Sequence, residues 1–122
     1  MFKSKTFAVA VGLAGAALLS VSQASAHASL VKSDPAANAT IAAPKAISLT
    51  FDDELTPAFS GFDVTMGDRM KMKFNTTVSK DKKTITGVPA GALMAGTYKL
   101  SWHVAAAEDG HKSTGTLAFT VK

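Results

Sequence analysis

Three residues of this chain carry donor atoms at a spacing that could hold a metal ion: His27, Asp109 and His111. His27 directly follows Ala24-Ser25-Ala26, a small-x-small triplet of the kind a signal peptidase cuts. Cleavage after Ala26 makes His27 an N-terminus, where the free α-amine and an imidazole nitrogen can chelate one ion together. Asp109 and His111 flank Gly110. In extended backbone, residues i and i+2 project to the same face, so the carboxylate and the imidazole are expected to point together with no side chain between them. The combined set is three nitrogens and one oxygen. Tetragonal N/O coordination suits Cu(II), which tops the divalent affinity order. Each half also has a plainer reading: some residue must follow every cleavage site, and Asp-Gly is a common turn pair. It is the pairing of the two halves that favours a metal site.

The elements that must position these residues begin with the leader. Lys3 and Lys5 supply a positive start and Phe7 to Val21 an almost unbroken apolar run, too short to span a bilayer. Residues 1–26 are therefore read as a helical signal peptide, and residues 27–122 as one domain with one modest core. Losing Lys3 and Lys5 lowers Lys plus Arg from 13 to 11 against 9 Asp plus Glu, a formal charge of +2. No basic run interleaves with aromatics, which argues against nucleic acid as a partner. No second apolar run is long enough for a membrane span after cleavage. The chain has no cysteine, so thiolate metal sites and disulfides are excluded.

Within residues 27–122 the hydrophobic period is two. Ile47, Leu49 and Phe51 alternate with polar neighbours, as do Phe62, Val64 and Met66. Tyr98, Leu100, Trp102 and Val104 face one way and Lys99, Ser101 and His103 the other; Leu117, Phe119 and Val121 mark the last strand. Weaker strand candidates are Ala28 to Lys32, Met70 to Val78 and Thr84 to Val88. Turn residues punctuate these runs, among them Ser33-Asp34-Pro35, Lys80-Asp81-Lys82 and Asp109-Gly110. About seven short strands predict an all-β, antiparallel Greek-key β-sandwich of immunoglobulin-like type, with Trp102 as a core anchor.

The chain resembles the CopC family of periplasmic copper-resistance proteins. The resemblance runs from His27-Ala28-Ser29-Leu30 and Ser33-Asp34-Pro35-Ala36 through Ala43-Pro44, Leu49-Thr50-Phe51, Phe59-Ser60-Gly61 and Ala95-Gly96-Thr97-Tyr98-Lys99. It closes on Trp102, Asp109-Gly110-His111 and Thr114-Gly115. It implies a Cu(II) site made of His27, Asp109 and His111, a periplasmic location, and an inner-membrane copper transport protein as partner. A monomer is expected. Some members resemble one another in a methionine-rich loop that binds Cu(I) through soft thioethers. Met66, Met70 and Met72 are the candidates for such a weak Cu(I) site here, but their segment is short and has no histidine. The alternative is core packing, a role methionine fills well.

His103 follows the core Trp102 and alternation points it outward, as a surface residue. Asp52, Asp53 and Glu54 form an acidic run after the Phe51 strand, either a solvated loop or a source of groups that orient a ligand; Glu108 is similar. Three function classes follow. The first is a copper-binding protein, not an enzyme, serving copper resistance or homeostasis. The second is a histidine-brace copper oxidase acting on polysaccharide. The third is a metal-free structural sandwich, which would not require His27 at the start of the processed chain.

Overall fold

The computed structural model describes residues 28–67 and 70–122. The expected leader and His27 itself lie outside the described residues. Among the described residues nine strands form: β1 (Leu30–Asp34), β2 (Thr40–Ile41), β3 (Ile47–Phe51), β4 (Gly61–Met66), β5 (Met70–Met72), β6 (Phe74–Val78), β7 (Thr84–Pro89), β8 (Gly96–Ala105) and β9 (Lys112–Val121). They make a two-sheet sandwich, with order β1-β3-β7-β6 in one sheet and β2-β9-β8-β4-β5 in the other. The chain changes sheet after β1, β2, β3, β5 and β7.

The alternating residues form the core between the sheets. Ile47, Leu49, Phe51 and Ile85 from one sheet meet Val64, Leu100, Tyr98 and Phe119 from the other, each no more than 1% exposed. Burying one such side chain contributes about 1.5–3 kcal/mol, so these inward rows hold the two sheets together. Tyr98 stacks on Phe119 at 5.3 Å, and its hydroxyl donates to the Met94 carbonyl at 2.7 Å, which satisfies the buried phenol. Trp102 is half-buried and packs against the core, as expected of an anchor. Its ring meets Phe51 edge-on at 5.2 Å and lies across Gly115, where any Cβ would collide with the indole. It therefore bridges the sheets from the margin of the core.

Three strand expectations need correction. The run from Met70 to Val78 is two strands, β5 pairing with β4 and β6 pairing with β7. The break falls at Lys73, whose carbonyl accepts the Ala90 N–H at 2.9 Å. Met70, Met72 and Phe74 keep in step through this switch, so the apolar period gives no sign of it. The pairing is not wholly antiparallel either: β2 runs parallel to β9, with Thr40 opposite Thr120 and Ile41 opposite Val121. Two residues are too few to show a period. The first strand begins at Leu30 rather than Ala28.

The β6–β7 turn reaches the end of the sandwich that carries the acidic run. Asp81 accepts the Ser79 hydroxyl and the Lys83 N–H, and the Ser79 bond is the first cause holding its carboxyl below the ordinary carboxylate range. The Lys83 carbonyl accepts the Phe51 N–H at 2.8 Å and the Lys82 carbonyl the Leu55 N–H at 2.7 Å.

Candidate metal centre

Asp109 and His111 sit in the loop between β8 and β9, and both are exposed. The local chain is a turn, not the extended segment that alternation assumed. Gly110 has φ +73°, the left-handed region that glycine adopts without steric cost. The Gly110 N–H donates to the Ala106 carbonyl at 2.9 Å, and the Ala106 N–H to the His111 carbonyl at 2.9 Å. The two candidate ligands are instead tied by a short side-chain bond: the His111 N–H donates to Asp109 Oδ1 at 2.9 Å. Such an Asx turn fixes the carboxylate relative to the backbone that carries the imidazole.

The start of the described chain connects to this loop through residues 52–56. The Ser29 N–H donates to Asp52 Oδ1 at 2.8 Å, and the Asp52 N–H returns to the Ser29 carbonyl at 3.0 Å. Ala28 is 2% exposed. On the other side, Leu55 bridges to Ala106. The Ala107 N–H donates to the Glu54 carbonyl and the Thr56 N–H to the Ala105 carbonyl, each at 2.8 Å. Ser29 and the Asp109–His111 loop thus share one neighbouring segment at one end of the sandwich. Among the described residues, no three His, Asp or Glu side chains stand close enough to hold an ion. Asp109 and His111 supply one oxygen and one nitrogen, a fit to copper chemistry that is incomplete without further donors.

Asp53, Glu54 and Glu108 line an open cleft of about 440 Å³ with Lys83 and Ala107. Neither Asp109 nor His111 lines it. His103 is exposed on the outer face of its sheet, opposite Gly61 and Thr114, and shares a surface depression with Phe59 and Lys112. Register places Met66 opposite Met70 and Val64 opposite Met72, so the three thioethers share one face of the β4–β5 hairpin. Met66 and Met72 pack against the core, whereas Met70 is 51% exposed. The bond from the Ser29 N–H to Asp52 leaves only a slight trace in the sequence, an acidic residue just after a strand.

A family model described as the CopC domain matches residues 30–122. The chain belongs to the CopC family. Copper resistance protein C of Xanthomonas campestris pv. juglandis is 37% identical over 129 residues, spanning all of both chains. Among solved structures, PcoC, a methionine-rich copper resistance protein from Escherichia coli, is 36% identical. It matches 80% of this chain and all of its own with a TM-score of 0.73. CopC from Methylosinus trichosporium OB3b is 30% identical, with a TM-score of 0.71 over 79% of this chain and 94% of its own. The two-sheet sandwich thus agrees with the CopC fold. The copper-resistance relatives agree with the expectation of a binding protein rather than an enzyme.

Proposed function

We propose that this CopC-family protein is exported to the periplasm, is cleaved after Ala26, and binds one Cu(II) ion. The ion would be held by the His27 amine and ring, Asp109 and His111. The observation that carries this reading is the shared segment 52–56, bonded to Ser29 on one side and to Ala105 and Ala107 on the other. It leaves the processed N-terminus only two residues from a point fastened beside the Asp109–His111 loop. The Asx bond engages Asp109 Oδ1 and leaves the carboxylate further lone pairs for an ion. Its role is copper resistance or homeostasis, with delivery to an inner-membrane copper transporter. Titrating the His27-terminated protein with Cu(II) should reach an end point at one ion per monomer, with nitrogen hyperfine structure in its paramagnetic resonance spectrum. An end point at zero, or a spectrum of oxygen ligands alone, would sink the assignment.

The methionines are assigned to packing, with at most weak Cu(I) binding. Two of the three thioethers are already packed on the core. Replacing Met66, Met70 and Met72 together with leucine should leave Cu(II) affinity unchanged. Under reducing conditions, neither the parent nor the variant should compete for Cu(I) with a tight chelator. A stoichiometric, tight Cu(I) complex lost only in the triple variant would make the β4–β5 hairpin a second metal site.

A further inference from the structure

We infer that Asp52 is a positioning residue for the proposed Cu(II) site, acting through Ser29 to hold the N-terminus in place; this rests on the reading given above. The β1–β3 ladder is irregular where it matters. Leu30 pairs with Phe51 and Lys32 with Thr50, so the register shifts around Val31, which is 60% exposed. Among the described residues, no regular ladder pairing continues from Leu30 toward the N-terminus. Asp52 takes over from the ladder. Its backbone N–H bonds the Ser29 carbonyl, and its carboxylate accepts the Ser29 N–H.

The second bond sets the plane of the Ala28–Ser29 peptide, because a peptide unit is rigid and its N–H direction orients all of it. That peptide is the last one described before the metal-binding residue would begin. Ala28, itself buried, gives a second point of attachment. In the proposed site, the donors of the processed N-terminus would then adjoin a held residue instead of a frayed one. A ligand on a frayed end must be ordered when the ion binds, and that ordering weakens binding. Asp52 and Ser29 are both exposed, so the bond contributes little to the core and its effect should be local.

The test uses protein beginning at His27, with Cu(II) affinity measured by competition against a chelator and amide exchange followed at Ser29. Asp52→Ala should weaken Cu(II) binding about 5- to 30-fold, the equivalent of losing the backbone order of one residue. It should also speed Ser29 exchange while leaving the thermal midpoint of the apo-protein in place. Asp52→Asn keeps an amide oxygen that can accept the same bond, so it should stay within about threefold of the parent with Ser29 still protected. Parent affinity in Asp52→Ala alongside rapid Ser29 exchange would overturn the inference. So would an Asp52→Asn variant as weak as Asp52→Ala with Ser29 protected, since the charge and not the bond would then matter. His111→Ala, run in parallel, separates the failures. If it weakens binding strongly while Asp52→Ala does not, only the positioning role is lost; if it too leaves binding intact, the copper site itself is wrong.

Discussion

The uncut 122-residue chain is expected to bind Cu(II) at least about 100-fold more weakly than the form beginning at His27, since loss of groups that merely orient ligands already costs about 10- to 100-fold. The reason lies in the chemistry of one nitrogen. With residue 26 attached, the His27 nitrogen is a secondary amide whose lone pair is delocalised into the carbonyl, and it cannot serve as a primary-amine donor. Cleavage after Ala26 turns it into an amine and closes a chelate ring with the imidazole of the same residue. Without it, Asp109, His111 and one imidazole remain, short of the four-donor set that Cu(II) favours. The measurement is competition with a chelator on the two forms, together with the mass of the exported protein. Equal affinities would remove the terminal amine from the site. An exported protein that begins anywhere other than His27 would do the same.

Much of this arrangement is legible in the sequence because the inward rows obey a period of two. Ile47, Leu49 and Phe51 on β3, and Tyr98, Leu100 and Val104 on β8, are buried as their alternation requires. The switch of sheets at Lys73 is not legible, since Met70, Met72 and Phe74 hold the same period on either side of it. β2 is too short to announce itself and pairs in parallel through a distant partner. The turn that carries Asp109 and His111 is not legible as such, because their i, i+2 spacing reads as extended chain. A left-handed Gly110 and an Asx bond set the Asp109 carboxylate against the His111 backbone N–H. The hold of Asp52 on Ser29 spans 23 positions, and no local pattern encodes a contact of that range.

Exchanging the ligands one at a time should rank them. His111→Ala should weaken Cu(II) binding about 100-fold and Asp109→Ala about tenfold, the larger loss falling on the better donor to Cu(II). Asp109 has a second task, accepting the His111 N–H, so its alanine variant loses an oxygen donor and also loosens the turn. Asp109→Asn keeps an acceptor for that bond and removes the charge; if the turn bond carries part of the effect, the asparagine variant falls between parent and alanine. His103→Ala should change nothing, since His103 stands on the outer sheet face beside Gly61 and Thr114. Imidazole and amine donors must shed protons to bind a metal ion. Affinity should therefore fall steadily from about pH 7 to pH 5, and the fall should be shallower in His111→Ala because one proton fewer competes with the ion. A large loss in His103→Ala with His111 dispensable would move the site to the other histidine. A pH dependence unchanged by His111→Ala would mean that its imidazole never meets the metal.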